Sequence, residues 1–222
     1  MSGTNEQVLA WLKNAEDLTI FAHVSPDGDT IGSSLALWHA LGRQAQLVCE
    51  DPIPEKYAFL PGAQAFVLPA GARASAYALA VDAADAGQLG AARALFEAAA
   101  HTAVIDHHGT NPGYAQVCRV EPELGATGTL VREILRDGGW QVDADIALCL
   151  YVAISTDTGN FSFSSTKRRD MLAVADLVEM FDLAETTRKL FRMKRKEHTL
   201  LLGAMLFAAQ FAARGRVAYG CV

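Results

Sequence analysis

Residues 18–21 form a short apolar run that ends just before the polar cluster opening at His23. Residues 30–41 then place their apolar side chains at helical spacing, with Gly42 as a stop. This strand-then-helix pattern recurs. Segments 45–48, 77–81 and 102–105 are further apolar runs of strand length, and 88–99 is helical in period between the last two. Residues 114–120 read as another strand. Beyond them the spacing turns helical over 127–136, 144–154, 169–181 and 198–213, and 216–222 reads as a strand that has only begun. The alternation predicts an α/β fold with a mainly parallel central sheet of about five strands, flanked by helices and followed by a helical C-terminal portion. Ligands of such sheets collect at the carboxyl ends of the strands.

Composition narrows the picture. The 222 residues suffice for one large domain, and a 51% hydrophobic share spread along the chain predicts a globular core. The longest apolar stretch, 200–213, is interrupted by Gly203 and Gln210 and is short for a bilayer span, so it reads as a buried helix. The polar start lacks the basic and apolar regions of a secretion signal, which predicts a cytoplasmic protein without membrane attachment. Cys49, Cys118, Cys149 and Cys221 lie far apart with no Cys-x-x-Cys pair, so neither a zinc site nor a disulfide framework is expected. A net charge of −6 opposes long nucleic-acid partners and favours a short substrate held by local charge.

Four polar groups carry the candidate chemistry: His23-x3-Asp27-x-Asp29, Asp82 with Asp85, Asp106-His107-His108, and Asp157 within Ser155-Thr156-Asp157-Thr158-Gly159. The first three follow strand-like runs and so converge on the ligand-binding edge of a parallel sheet. Each has an ordinary reading too. Ser25-Pro26-Asp27-Gly28-Asp29 is also turn chemistry, and Asp82 and Asp85 also suit helix capping. Taken jointly, so many carboxylates at one edge would repel one another unless cations lay between them. Mixed carboxylate and imidazole donors without thiolates favour Mn²⁺ over structural zinc. Two such ions can activate water and neutralise phosphoryl oxygens, which is phosphoester hydrolysis.

The motifs His23-Val24-Ser25-Pro26-Asp27-Gly28-Asp29 with Ile31-Gly32-Ser33, Asp82, Asp106-His107-His108 and Ser155-Thr156-Asp157-Thr158-Gly159 resemble, in order and spacing, those of the DHH phosphoesterase superfamily. Within it the chain resembles the catalytic domain of bacterial bifunctional oligoribonuclease and pAp phosphatase proteins. The resemblance implies that His23, Asp27 and Asp82 hold one metal ion and that Asp29, Asp82, His107 and Asp157 hold the other, with Asp82 as the bridge. It places His108 beside the substrate phosphate and Asp106 behind it, orienting an imidazole. It further implies two divalent ions, Mn²⁺ by preference. The implied substrates are 3′-phosphoadenosine 5′-phosphate (pAp) and short single-stranded RNA.

Family members carry a second domain with a Gly-Gly-Gly-His type motif that is not present in these residues. Residues 1–196 are therefore expected to form the catalytic domain, and 197–222 a connector helix and the start of a substrate-binding domain cut short by truncation. An uncovered 200–213 helix would favour a homodimer. Gly28 and Gly32 fit a helix start whose amides face the anionic site. The basic residues between Arg188 and Lys196 read as a solvated face or a connector, and Lys167, Arg168 and Arg169 as a helix start or a phosphate contact. Alternatives are a manganese-dependent inorganic pyrophosphatase, a cyclic-dinucleotide phosphodiesterase of the same superfamily, and a non-catalytic metal- or nucleotide-binding remnant.

Overall fold

A computed structural model describes residues 3–220. By its internal contacts the chain divides into two compact units, Met1–Leu183 and Ala184–Val222. The first unit contains a parallel sheet of six strands: β1 (Leu18–Phe21), β2 (Gln46–Val48), β3 (Phe66–Val67), β4 (Tyr77–Val81), β5 (His101–Asp106) and β6 (Val117–Val120). Their order across the sheet is β3-β2-β1-β4-β5-β6. Chain direction across the sheet reverses between β1 and β4, where Ile20 pairs with Leu79 on one side and Leu47 on the other. That reversal opens a crevice beyond the strand ends, the ordinary ligand position in doubly wound sheets.

The extra strand is β3, only two residues long and too short to register as a periodic pattern. The central strands carry apolar residues on both faces because both are covered. On one face Phe21, Ala78, Ala80 and Val104 pack with Leu89 and Phe96, the last from α3 (Arg93–Ala98). Across the sheet, α2 (Gly28–Ala40) contacts β1 and β4, and α4 (Thr127–Asp137) contacts β5. The long apolar α5 (Ala144–Asp157) packs against both helices.

Glycines set the depth of that packing. A Cβ on Gly32 would stand 2.4 Å from the Cys149 carbonyl oxygen, and one on Gly28 would stand 2.2 Å from Thr156 Oγ1. Close approach to α5 therefore requires glycine at both positions. The amides that follow Gly28 do not face an open site, because the Asp27 carboxylate caps them, accepting from Asp29 N at 3.0 Å and Thr30 N at 3.2 Å. At the other helix starts, α1 (Asn5–Lys13) opens with a Thr4–Gln7 capping box and α5 with Asp143 accepting from Ile146 N. After α5, α6 (Arg168–Ala175) leads to α7 (Leu183–Thr187).

The second unit holds a π-helical turn at Arg188–Arg192, α8 (Lys196–Phe207) and an antiparallel hairpin of β7 (Gln210–Ala212) and β8 (Val217–Tyr219). This corrects the expected 198–213 helix. Helix α8 stops at Phe207, and three successive residues with positive φ, Ala213, Arg214 and Gly215, turn the chain back on itself. The expected burial also fails, for every residue of α8 is exposed, Phe207 at 96%. Within the basic stretch, Arg188 and Lys189 both pair with Glu185. Cys49 and Cys149 are buried free thiols and Cys118 is half-buried, whereas Cys221 lies outside the described residues. Among the described residues no helix is long and apolar enough to cross a membrane.

Candidate metal centre

Three strand ends and two helix ends deliver the candidate side chains. After β1 the chain turns at Ser25, whose φ of 51° is held by its amide donating to Asp51 Oδ2 at 2.6 Å. That turn presents His23 and starts α2 with Asp27 and Asp29. Asp82, immediately after β4, has a φ of 60°, a conformation uncommon for residues with a side chain. Asp106 ends β5, and His107 and His108 follow it. Asp157 is the last residue of α5.

These side chains meet. The candidate donor atoms of His23, Asp27 and Asp82 lie within 4.8 Å of one another, as do those of Asp29, His107 and Asp157, and those of Asp82, His107 and His108. His23 Nε2 is 3.5 Å from Asp27 Oδ1 and 3.8 Å from Asp82 Oδ2. His107 Nε2 is 3.2 Å from Asp157 Oδ2 and 3.7 Å from Asp82 Oδ1. Asp82 thus stands between two imidazoles. Asp85 does not join them; its carboxylate accepts from Gly87 N at 2.7 Å and caps the 3₁₀ turn of Ala86–Ala92.

Both imidazoles have a defined orientation. His23 Nδ1 lies 2.7 Å from the Val24 carbonyl oxygen and His107 Nδ1 lies 3.2 Å from that of Leu124. A carbonyl only accepts, so each Nδ1 carries hydrogen, and in the neutral ring the Nε2 lone pair faces the carboxylates. Lone pairs facing lone pairs repel unless a proton or a cation lies between them. That is the donor arrangement of a metal-binding imidazole with its second nitrogen anchored on a carbonyl.

Charge balance leads to the same requirement. Asp29 and Asp82 are buried, and among the described residues no lysine or arginine pairs with them or with Asp27 or Asp157. Burial, reinforced by Asp157 and Asp27, pushes the Asp29 carboxyl up to about 7. Burial and the neighbouring Asp29 and Asp27 raise Asp82 well above the usual carboxylate range. Burial lowers His107, but the Asp157 hydrogen bond and the Asp29 charge outweigh it and raise the imidazole to about 9. At His23 burial is likewise outweighed by Asp27, and the net shift is upward. Asp157 also sits at the negative end of the α5 dipole, which disfavours a carboxylate left without a cation. Without metal the charge is offset by protons held on Asp29, Asp82 and the imidazoles, and the donor set suits divalent cations in their place.

Asp106 stands apart from the candidate donors. It is fully buried and accepts from the His107 amide at 2.9 Å, His108 Nδ1 at 2.7 Å and Asn111 Nδ2 at 2.8 Å. Burial would raise its carboxyl, but the His108 and Asn111 hydrogen bonds hold it below its ordinary value. His108 is thereby oriented through Nδ1, which leaves Nε2 available on a partly exposed side chain.

Several contributors were not visible in the motifs. The start of α4 supplies Thr127 N to Asp29 Oδ2 at 2.6 Å, Gly128 N to Asp29 Oδ1 at 2.8 Å and Thr127 Oγ1 to Asp82 Oδ1 at 2.7 Å. Ser33, already part of the first motif, adds a fourth bond from its Oγ to Asp29 Oδ1 at 2.9 Å. The available signal was Gly125-Ala126-Thr127-Gly128-Thr129, a run of small residues at a helix start where close approach needs them. Arg169 is occupied by a two-point pairing with Glu133 at 2.9 and 2.6 Å.

Residues 17–154 match the family described as DHH family, N-terminal domain. The chain belongs to the DHH family. This DHH chain is 34% identical over 201 residues to the bifunctional oligoribonuclease and PAP phosphatase NrnA of Thermus thermophilus, covering 86% of this chain and 59% of that protein. To the protein of the same description from Bacillus subtilis it is 26% identical over 94 residues, 40% of this chain and 30% of the relative. A crystal structure of an exopolyphosphatase-related protein from Bacteroides fragilis superposes with a TM-score of 0.87 at 23% identity, over 94% of this chain and 66% of the other. The chain thus spans under two thirds of each of these proteins. DHH phosphoesterases depend on metal ions, and the acidic and imidazole groups described above are candidates for holding them.

Proposed function

We propose that this DHH chain carries the catalytic centre of a phosphoesterase using two divalent ions, Mn²⁺ by preference, acting on small nucleotides such as pAp and on short single-stranded RNA. The observation that carries the reading is the position of Asp82 between the Nε2 atoms of His23 and His107. The similarity to the Thermus thermophilus relative supports the substrate class. In this reading residues 1–196 make up the catalytic portion and 197–222 a connector. His23, Asp27 and Asp82 would hold one ion, and Asp29, Asp82, His107 and Asp157 the other.

When bound, the ions supply positive charge that polarises phosphoryl oxygens and acidifies water. The protein's own groups do the rest. Carbonyl anchors on both Nδ1 atoms prevent ring rotation, and the α4 amides hold the Asp29 carboxylate in one orientation. Asp106 fixes His108 through Nδ1–H, so that Nε2 of the imidazolium form can donate a hydrogen bond to a phosphoryl oxygen or pass its proton to the departing oxygen.

The test is phosphate release from pAp and from pyrophosphate, side by side, with Mn²⁺ added to the metal-stripped chain. The reading expects turnover of pAp that is lost in Asp157→Asn. Turnover of pyrophosphate alone would move the activity to the pyrophosphatase alternative, and full activity in Asp157→Asn would remove the proposed centre.

A further inference from the structure

Four aspartates are buried among the described residues: Asp29, Asp82, Asp106 and Asp170. The first three belong to the site or orient it. Asp170, on the first turn of α6, belongs to no motif and faces no candidate donor. A buried carboxylate needs a reason, because it must be fully hydrogen-bonded to persist.

Its partners supply that reason. Asp170 Oδ1 accepts from Thr129 Oγ1 at 2.6 Å and from Gly125 N at 3.2 Å. Oδ2 accepts from Gly125 N at 3.1 Å and from Lys167 N at 2.7 Å. One carboxylate therefore clamps both sides of Thr127-Gly128, the pair whose amides and hydroxyl grip Asp29 and Asp82. It also holds the far end of the segment that follows Asp157, through the Lys167 amide. The fit leaves no spare room, since a Cβ on Gly125 would stand 2.6 Å from Asp170 Oδ2.

We infer that Asp170 is a positioning residue for the metal centre: it sets the α4 start, and through Thr127 and Gly128 it sets the orientation of Asp29 and Asp82. The inference rests on the reading of the cluster as a metal centre. A purely local role, capping α6 through Lys167 N, would leave the α4 start undisturbed, and the two roles separate experimentally.

The experiment measures Mn²⁺ binding by calorimetry on the full chain, with amide hydrogen exchange on the metal-free protein. Asp170→Ala is expected to weaken Mn²⁺ binding by about tenfold or more and to accelerate exchange at Thr127 and Gly128. Asp170→Asn can direct its oxygen to the Gly125 and Lys167 amides and its NH₂ to the Thr129 hydroxyl, so it should largely restore both readouts. If Asp170→Ala does not fold, Thr129→Val, which removes one of the clamp's bonds without changing side-chain size, should shift both in the same direction. Unchanged Mn²⁺ affinity in a folded Asp170→Ala, or faster exchange confined to the first turn of α6, overturns the inference. If the wild-type chain takes up no Mn²⁺, the metal reading falls, and exchange at Thr127 and Gly128 alone decides whether Asp170 sets the α4 start.

Discussion

His107 Nε2 stands 3.2 Å from Asp157 Oδ2 while its Nδ1 is anchored on the Leu124 carbonyl. Without metal, the raised pKa of about 9 means that this gap is bridged by a proton at neutral pH. Asp29, raised to about 7, holds another for part of the time. A divalent ion must displace both. Mn²⁺ binding should therefore release protons and tighten as pH rises from about 6 to 9. Calorimetry in buffers of differing ionisation enthalpy reads the proton count directly, and binding at pH 6.5 without proton release would contradict the arrangement.

Asp82→Asn should trade metal binding for stability. A carboxyl whose folded pKa is raised contributes stability that is present at low pH and lost as pH rises through the folded value, and Asp29 and Asp82 both behave so. His107, also raised, loses its contribution as pH approaches about 9. Asp27 and Asp106 are lowered, so their contributions disappear only on acidification. The metal-free wild type should accordingly melt at a lower temperature at pH 8.5 than at pH 6, and Mn²⁺ should reverse that loss. Asparagine tolerates the positive φ at position 82 and can still accept from Thr127 Oγ1. Metal-free Asp82→Asn should melt at a higher temperature than wild type at pH 8.5, because the buried carboxylate no longer has to ionise. Thermal melts in chelator with and without Mn²⁺ provide the check, and a less stable metal-free variant would refute it.

Much of the fold was legible because the sheet's central strands are short, mostly apolar and followed closely by polar residues. Leu18–Phe21 and Tyr77–Val81 coincide with β1 and β4 for that reason. The two-residue β3 left no such trace. Around Leu200 the apolar run conveyed helix but not its end or its exposure, because alanines continue past Phe207 without a breaking residue. The convergence of His23, Asp27, Asp82 and His107 could be anticipated from polar groups following strand-like runs, whereas Asp157, at the end of α5, was indicated by the family resemblance. Asp170 could not be anticipated, and Thr127 only as part of a small-residue helix start, because their importance arises from where α4 and α6 pack.

His108 should matter for turnover and little for metal uptake. Its Nδ1 is committed to Asp106 at 2.7 Å, so the ring is oriented independently of any ion. His108→Ala is expected to lower kcat on pAp by about 10²–10⁴-fold, with Mn²⁺ affinity little changed. Asp106→Asn can keep its oxygen where Oδ1 accepts from His107 N and His108 Nδ1, losing the Asn111 bond, and should give a smaller loss of kcat. Stopped assays alongside calorimetry separate the two effects, and parallel loss of metal and activity in His108→Ala would reassign the residue to the ligand set.

Gly32 tests the packing that supports the whole site. Its missing Cβ leaves room for the Cys149 carbonyl oxygen, the Ala153 amide at 2.9 Å and Ala153 Cβ at 3.0 Å. Two of these atoms are α5 backbone, so an alanine cannot be accommodated by a side-chain rotation. Helices α2 and α5 must separate, and because α2 carries Asp29 and α5 carries Asp157, separation alters the cluster as well as the core. Gly32→Ala gains intrinsic helix propensity of up to about 1 kcal/mol. Overpacking of a close-packed interface typically costs about 1–3 kcal/mol, and the backbone contacts put this site at the upper end. The expected outcome is a net loss of stability together with weaker Mn²⁺ binding, read by denaturant unfolding and calorimetry. A more stable Gly32→Ala chain would show that the α2–α5 spacing is not set at this glycine.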